Sequence, residues 1–256
     1  MDAAPVMLTD AELDRYARQI ILREIGGAGQ VALARAHVAI IGAGGIGSPV
    51  IQYLAAAGIG RLTIIDDDRV DVTNLQRQTL YAMDDVGTAK VAAARAAVAR
   101  LNPGVAVEGV AARIDAANAA ALITGADVVV DGCDNFATRL AVADAALAAR
   151  VPLISAAVGQ FDAQLGVFRG WDAGLPCYRC LVGTDPERAE ASCADQGVLG
   201  PITGVIGSLA ALEAIRSIVP FGTDPAGQLL MIDAVDFRFR TIALPKDPGC
   251  PGCGAR

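Results

Sequence analysis

The chain contains a single histidine, His37, at the entry to the first predicted strand. A Ser-His or Cys-His relay is therefore improbable, and so is a metal site built from several imidazoles. We interpret His37 as a structural residue at the surface. Aromatic residues are also scarce, at 4% of 256 residues, whereas hydrophobic residues make up 54%. This composition is typical of one large globular domain.

An excess of positive charge is absent as well. The 21 basic and 28 acidic residues give a net charge of −7, which disfavours general binding to nucleic acid or membrane surfaces. The first residues lack the basic stretch and apolar core of a signal peptide. Gly, Arg or Asp interrupts each apolar run that might span a bilayer. We therefore expect a cytoplasmic protein with no nucleic-acid or membrane partner.

Strand and helix patterns alternate over the first part of the chain. A helical pattern covers 9–35, with Thr9 as its cap, Glu12 three residues on, and a break at "GGAGQ" (26–30). Strand patterns follow at 38–41, 61–68, 105–112, 127–132 and 151–159, and helical patterns at 48–57, 88–100, 116–123 and 136–149. This alternation predicts an α/β, Rossmann-like fold with a doubly wound, mostly parallel sheet.

The rhythm changes after about residue 158. The stretch 159–170 is typical of antiparallel strands, 181–201 is a polar crossover, 203–218 is an apolar helix, and two more strands follow. We expect a single domain over 1–256, in which a nucleotide-binding half (1–157) continues into an antiparallel half (158–256).

A glycine-rich turn separates the first strand from its helix. Gly42, Gly44, Gly45 and Gly47 form G-x-G-G-x-G, and Asp66 ends the next strand 19 residues after Gly47. Glycines let the backbone approach a phosphate at a helix N-terminus, and the acid accepts hydrogen bonds from ribose hydroxyls. The turn predicts a nucleotide site and leaves the nucleotide open.

Further polar residues follow the strand ends. Asn74 and Arg77 come after the strand at 61–68, Lys90 begins a helix, and Asp134 follows the strand at 127–132. Two cations and an acid beside a glycine turn suit a triphosphate with magnesium, since Arg and Lys bind phosphates and carboxylates bind Mg²⁺. Taken singly, each cation is more often a solvated surface charge. NAD, the alternative ligand, leaves Arg77, Lys90 and Asp134 without a function.

Four of the six cysteines form two C-x-x-C pairs, Cys177 with Cys180 and Cys250 with Cys253. Four thiolates can enclose a tetrahedral, structural Zn²⁺. Two unconnected loop pairs or a redox C-x-x-C are the alternatives. Cys133 precedes Asp134 at a strand end and is interpreted as a small packed residue.

Seven stretches resemble the MoeB/ThiF family of adenylyltransferases, which are related to ubiquitin-activating enzymes. They run in order from about residue 9 to the C-terminus: "RYARQIIL", "GAGGIGSPVIQYLAAAGIGRLTIIDDDRVDVTNLQRQTL", "VGTAK", "DGCDNFATR", "PCYRC", "GVIGSLAALEAI" and "PGCPGC". The resemblance implies ATP-dependent adenylylation of the C-terminal glycine carboxylate of a small ubiquitin-like sulfur carrier. Pyrophosphate leaves, and a separate sulfur donor then provides the thiocarboxylate.

The resemblance also implies roles for individual residues. Asp66 would contact ribose, Asn74, Arg77 and Lys90 the phosphates, and Asp134 the magnesium ion. Arg18 would reach the triphosphate of the partner subunit in a homodimer. The remaining residues of the implied nucleotide site are Gly42, Gly44, Gly45, Gly47, Asp68 and Asn135.

The second half of the chain would carry zinc and bind the carrier. Zn²⁺ on the four cysteines would fasten the C-terminus to the base of the crossover. Cys193, in the crossover, would form a thioester or acyl persulfide with the activated carrier, or would be a spare thiol.

The resemblance favours a MoaD-like carrier of molybdopterin synthesis with a Gly-Gly tail. A ThiS-type carrier of thiamine thiazole synthesis is the alternative. An NAD-dependent oxidoreductase and a catalytically silent binding protein are alternatives from other classes.

Overall fold

The computed structural model describes residues 7–183 and 197–254, and the predicted thiol Cys193 lies outside them. One sheet has the strand order β3-β2-β1-β4-β5-β6-β7-β8. The strands are β1 His37–Ile41, β2 Arg61–Ile65, β3 Ala106–Val110, β4 Val128–Asp131, β5 Leu153–Val158, β6 Asp162–Phe168, β7 Gln228–Asp233 and β8 Arg238–Ala243.

Helices alternate with the first five strands and recur in the second half. Within the described residues they are α1 Asp10–Ile20, α2 Gly26–Arg35, α3 Gly47–Ala57, α4 Lys90–Leu101, α5 Ala119–Leu122, α6 Phe136–Ala149, α7 Tyr178–Val182 and α8 Gly200–Ile218. Two short 3₁₀ helices, Val72–Asn74 and Met83–Asp85, lie between β2 and α4.

The sheet changes character at β5, as the sequence predicts. Strands β1 to β5 pair in parallel, whereas β5, β6, β7 and β8 pair antiparallel. The predicted doubly wound sheet with an antiparallel continuation is confirmed. Residues 159–170 supply one strand, β6, rather than several. The chain order reverses between β1 and β4, where ligands of open α/β sheets bind.

Both faces of the central strands are covered. In β1, Val38 and Ile40 belong to a cluster with α3, α4 and α8, whereas Ala39 and Ile41 belong to a cluster with α5 and α6. This two-sided burial explains why the strand is apolar throughout rather than alternating.

Helix α8 is long and apolar enough to cross a membrane by length and composition. The helix nevertheless contains Gly204, Gly207 and Arg216, the kinds of residue that the sequence analysis names as interruptions. Ile206, Ala210 and Ala214 are completely buried in the core, against α3 and strands β4 to β6. Packing against the sheet accounts for the apolar character of α8.

The N-terminal segment confirms one prediction and corrects another. The Thr9 side chain accepts a hydrogen bond from the Glu12 backbone, and Glu12 accepts one from the Thr9 backbone, so the predicted cap is confirmed. The break falls at residues 21–25 instead of 26–30, because α2 already begins at Gly26.

His37 is buried, so its predicted surface position is wrong. Its Nδ1 lies 2.9 Å from the Gly125 carbonyl oxygen, and its Nε2 lies 2.8 Å from the Thr63 hydroxyl oxygen. Both ring nitrogens are thus used in joining β1 to its neighbours, which agrees with the predicted structural role.

Candidate functional site

A cleft of about 660 Å³ opens where β1, β2 and β4 end. Ile41, Ile65 and Gly132 mark these strand ends on its wall. The antiparallel half contributes Gln164, Val198 and Thr203. The cleft therefore lies at the carboxyl edge of the sheet, at the point where the strand order reverses. Of the residues predicted for the nucleotide site, it gathers Gly42, Gly44, Gly45, Asp66, Asp68, Asn74, Arg77, Lys90, Asp134 and Asn135.

The glycine turn closes the base of this cleft. Gly42 has φ +85°, and a Cβ there would lie 3.2 Å from the backbone of Gly132 and Cys133. Gly47 is absent from the cleft wall, because it begins α3 behind the turn. A Cβ at Gly47 would meet the Gly42 carbonyl oxygen at 2.0 Å, so its place in the motif is explained by packing.

Asp66 connects the turn to the end of β2. One carboxylate oxygen accepts a hydrogen bond from the Ala43 backbone N–H at 2.8 Å, and the other accepts one from Asp68 at 2.8 Å. Burial raises the pKa of the Asp66 carboxyl, while the Lys90 charge and the two backbone donors oppose that shift. The carboxylate is thus held in place at the turn.

Lys90 is a buried cation of the cleft, with 5% of its surface exposed. Its Nζ lies 2.8 Å from an Asp68 oxygen and 3.9 Å from an Asp66 oxygen. The ammonium is therefore fixed between two carboxylates, and an incoming phosphate oxygen would meet an already positioned charge.

Arg77 and Asn74 belong to the short segment after β2. Arg77 is half-buried, and its Nη1 donates to the Thr73 carbonyl oxygen at 3.3 Å. Thr203, near the start of α8, lies 3.3 Å from the Arg77 carbonyl oxygen. The antiparallel half thereby supports the segment that carries two of the three predicted phosphate ligands.

Asp134 is exposed on the loop between β4 and α6. The backbone N–H and the backbone carbonyl of the preceding residue, Cys133, are both hydrogen-bonded. Its N–H donates to an Asp131 carboxylate oxygen at 3.1 Å, and its carbonyl oxygen accepts a hydrogen bond from Arg139. Asn135 accepts a hydrogen bond from the Thr138 N–H at 2.8 Å and so caps α6. The loop is fixed on both sides of Asp134.

Arg139 is the centre of this support. Its guanidinium pairs with Asp131 at 3.2 Å and donates to Ser155 at 3.0 Å and to the Ala156 carbonyl oxygen at 2.9 Å. The Asp131 carboxylate keeps the pKa of Arg139 raised despite its burial. The sequence motif contained Arg139, but only the fold reveals that it ties the Asp134 loop to β5.

Arg18 lies outside the cleft of its own chain, exposed on α1. Helix α1 is fixed beside it. The Tyr16 hydroxyl accepts a hydrogen bond from Asn102 at 2.8 Å, and Gln19 donates to Gln30 at 2.6 Å. The arginine is therefore carried by a helix that is held in place, and it is not part of the cleft wall.

The four cysteines of the C-x-x-C pairs form one cluster, with all sulfurs within 4.8 Å of one another. The sulfurs of Cys177 and Cys250 are 3.5 Å apart, as are those of Cys180 and Cys253. A tetrahedral ZnS₄ site with bonds of about 2.3 Å requires sulfurs roughly 3.8 Å apart. The Asp247 N–H also points to the Cys180 sulfur at 3.5 Å. The donor set therefore fits a structural zinc ion.

Cys133 does not resemble an activated nucleophile. Burial raises the pKa of its thiol well above the ordinary value, and the neighbouring Asp131 raises it further. This agrees with the predicted packing role.

Comparisons with known proteins bear on the whole chain. The model of the ThiF family matches residues 16–252. A sulfur carrier protein adenylyltransferase of Thermus thermophilus is 45% identical, over 96% of this chain and 92% of the relative. A molybdopterin-synthase adenylyltransferase of Escherichia coli is 46% identical, over 96% and 98%.

Solved structures agree with these relatives. The MccB protein of Escherichia coli, solved with ATP, superposes with a TM-score of 0.82 at 26% identity. The match covers 97% of this chain and 77% of that protein.

Proposed function

The chain belongs to the ThiF family and is an adenylyltransferase, and we propose that it transfers AMP from ATP to the C-terminal glycine carboxylate of a small ubiquitin-like sulfur carrier. The observation that supports this most strongly is the convergence of Arg77, Lys90 and Asp134 on the glycine turn. NAD chemistry would leave these three residues without a function, and the relatives named above are adenylyltransferases.

The proposed reaction is a displacement at the α-phosphorus of ATP. A carboxylate oxygen of the carrier forms a bond to this phosphorus, and the bond to the bridging oxygen of the β-phosphate breaks. The products are a carrier acyl adenylate and pyrophosphate. A terminal carboxylate is already ionised at neutral pH, so the reaction needs no protein base. This explains how a chain whose one histidine is structural can perform it.

The protein's contribution is positioning and neutralisation of charge. Lys90 would bind the phosphates as a preformed charge, and Arg77 would bridge phosphate oxygens. Asp66 would hold the ribose hydroxyls at the turn. Each of these side chains stands on the cleft wall beside Gly42 or its neighbours.

Two metal ions belong to the proposal. Asp134, exposed on its clamped loop, would hold a Mg²⁺ ion, which supplies charge stabilisation on the phosphates. Zn²⁺ would be bound by the cysteine cluster and would join the C-terminus to α7. The cysteine cluster is separate from the cleft, so its role would be structural.

We also propose a homodimer, because Arg18 is exposed on a fixed helix and does not line the cleft of its own chain. In a dimer it would reach the triphosphate in the partner subunit. A monomer at working concentration, measured by size-exclusion chromatography with light scattering, would contradict this part of the proposal.

The carrier would bind the antiparallel half (158–256). Strand β8 is the edge of the sheet and is exposed along its whole length. Large apolar side chains cluster on and beside it, among them Phe237 with 85% and Phe239 with 52% of their surface exposed. An open edge strand with apolar neighbours suits a partner that adds a strand or covers the patch.

A MoaD-like carrier is our first choice, with a ThiS-like carrier as the alternative. One relative is named a molybdopterin-synthase adenylyltransferase and another a sulfur carrier protein adenylyltransferase, and the chain is nearly equally identical to both. Sequence similarity therefore does not separate the two carriers. The sulfur donor would be a separate protein.

ATP–pyrophosphate exchange with each purified carrier in turn tests the proposal. Exchange that depends on one carrier supports adenylylation and names the pathway. If neither carrier supports exchange, the proposed function is wrong.

A further inference from the structure

Tyr81 is a buried residue beside the cleft to which the proposed function assigns no role. Its side chain is 7% exposed and belongs to the cluster of β1 with α3, α4 and α8. Its hydroxyl donates to the Ala43 carbonyl oxygen at 2.8 Å, within the glycine turn. Burial, together with the nearby charge of Asp66, raises the pKa of this hydroxyl. The group therefore stays protonated and remains a donor at any working pH.

The hydrogen bonds of the turn leave the Gly44 N–H without a partner. The Ala43 N–H donates to Asp66 at 2.8 Å, and the Gly44 carbonyl oxygen accepts from the Ser48 N–H at 2.9 Å and from its hydroxyl at 2.8 Å. In the described part of the chain, the Gly44 N–H donates to no group, although Gly44 is only half-buried and lies on the cleft wall. Backbone donors in folded proteins are normally paired, so this one is available to a ligand.

Tyr81 determines the direction of this N–H. The Ala43 carbonyl and the Gly44 N–H belong to one peptide unit, which is planar and trans. In such a unit the C=O and N–H bonds point in opposite directions. Because the carbonyl oxygen is bound by Tyr81, which is buried and outside the cleft wall, the N–H is directed to the side of the cleft.

The neighbouring contacts indicate which part of ATP would meet this N–H. Asp66, the proposed ribose ligand, is bound to Ala43, one residue before Gly44. In ATP the α-phosphate follows directly on the ribose, so the next donor along the turn is placed for an α-phosphate oxygen. The carrier carboxylate attacks the phosphorus of this group. A backbone N–H fixed toward its oxygens would stabilise the charge of the transition state.

We propose that Tyr81 is a positioning residue, whose hydroxyl holds the Ala43–Gly44 peptide so that the Gly44 N–H donates to an α-phosphate oxygen of ATP. This inference rests on the proposed function and adds a residue to it. Tyr81 contacts neither substrate and acts through the peptide alone. The Gly44 N–H is the group that contacts the nucleotide.

The test changes the protein and the nucleotide separately. On the protein, Tyr81→Phe deletes the hydroxyl and keeps the ring. On the nucleotide, the Rp and Sp isomers of ATPαS each replace one of the two free α-phosphate oxygens by sulfur, which is a weak acceptor. The measurement is kcat and KM of carrier-dependent ATP–pyrophosphate exchange, for wild type and variant, with ATP and with each isomer.

We expect Tyr81→Phe to lower kcat with ATP about tenfold, because the donor is no longer held toward the α-phosphate. The KM for the carrier should stay within about twofold of wild type. For one isomer, the ratio of kcat with ATP to kcat with ATPαS should be about tenfold smaller in the variant than in wild type, because the two changes remove the same bond. For the other isomer, the ratio should be the same in both proteins.

Thr63→Val is the matched control for stability. Thr63 is 4% exposed, lies outside the cleft wall, and its hydroxyl oxygen is 2.8 Å from His37 Nε2. Like Tyr81→Phe, this variant loses one buried hydroxyl and one hydrogen bond, so both thermal unfolding midpoints should fall by about 2–4 °C. The kcat of Thr63→Val should equal that of wild type.

A wild-type kcat for Tyr81→Phe would overturn the inference. Ratios that equal those of wild type for both isomers would also overturn it, since Tyr81 would then act independently of the α-phosphate. An equal fall of kcat in Thr63→Val would assign the loss to stability and overturn it as well. Absence of carrier-dependent exchange with the wild-type protein would refute the proposed function itself, whereas wild-type exchange with unchanged ratios would refute only the role of Tyr81.

Discussion

The nucleotide cleft and the β7–β8 hairpin differ in how their side chains are partnered. In the cleft, Lys90 is 5% exposed and paired with Asp68, and Arg139 is bound by four groups on three segments. On the hairpin, every residue of β8 is exposed, and the exposed rings of Phe237 and Phe239 lie edge to face with their centroids 5.9 Å apart. The buried cations of the cleft are held in place before a ligand arrives, whereas the hairpin presents a surface suited to a partner.

Removal of the proposed magnesium ligand in the cleft should give the largest loss of activity. We expect Asp134→Ala to lower ATP–pyrophosphate exchange by at least about 10²-fold, because a charge-stabilising group is lost. Zinc content, measured by atomic absorption, should equal that of wild type. Asp84→Ala, an exposed acid outside the cleft wall, is the matched control and should keep full activity. Wild-type turnover of Asp134→Ala would show that Asp134 has no role in catalysis.

Loss of Arg139, which holds the loop that carries Asp134, should lower the stability strongly. Arg139→Met leaves the Asp131 carboxylate buried without its cation, which should lower the free energy of unfolding by about 3–5 kcal/mol. Arg61→Met breaks the pair with Glu108, whose side chains are about half exposed, and should cost less than about 1 kcal/mol. Urea unfolding of both variants measures the difference. Equal losses would contradict the view that the buried pair of Arg139 and Asp131 supports the cleft.

Substitutions on the β7–β8 hairpin should weaken carrier binding and leave stability almost unchanged. Phe237→Ser and Phe239→Ser remove exposed rings, so the free energy of unfolding should change by less than about 1 kcal/mol. The KM for the carrier should rise about tenfold, while ATP affinity stays unchanged. Met83→Ser, at an exposed apolar residue in the parallel half, is the control. If Met83→Ser raised this KM as much as the hairpin variants, the hairpin would not be the carrier surface.

The smallest predicted effect concerns the pH dependence of stability at Asp66. Burial raises the pKa of its carboxyl above the ordinary 3.8, so the folded state binds this proton more tightly than the unfolded state. Between 3.8 and the raised pKa, the Asp66 contribution to the free energy of unfolding should fall as pH rises, and above that pKa it should be constant. Urea unfolding of wild type and Asp66→Asn over acidic pH checks this. A difference between the two proteins that does not change with pH would contradict the shift.

The fold was predictable from the sequence to the extent that its elements carry strong local patterns. The capped start of α1, the bounds of α6 and the change to antiparallel pairing after β5 follow from periodicity and glycine positions. The start of α2 was missed, because Gly26 opens a helix that packs by tertiary contact despite its low helix propensity. His37 was misplaced for a similar reason, since its burial depends on Gly125 and Thr63 from distant segments.

The candidate site was predictable where a residue belongs to a motif and unpredictable where its role depends on a contact. Asp66, Lys90 and Asp134 could be assigned to one cleft because strand ends of a parallel sheet meet at one edge. The contacts of Arg139 and the unpartnered oxygen of Gln78 could not be foreseen, although both residues belong to motifs of the family resemblance. The clamp follows from the hydrogen bonds that Arg139 makes with the end of β4 and with β5, and the unpartnered oxygen of Gln78 follows from its burial.

Isotope transfer tests the central claim most directly. A carrier labelled with ¹⁸O in its C-terminal carboxylate is incubated with unlabelled ATP and the enzyme, and the acyl adenylate is then hydrolysed by attack of water on the acyl carbon. If the carboxylate displaces pyrophosphate, the bridging oxygen remains with the nucleotide, and the AMP carries ¹⁸O. AMP without the label, or no carrier-dependent AMP at all, would contradict the account.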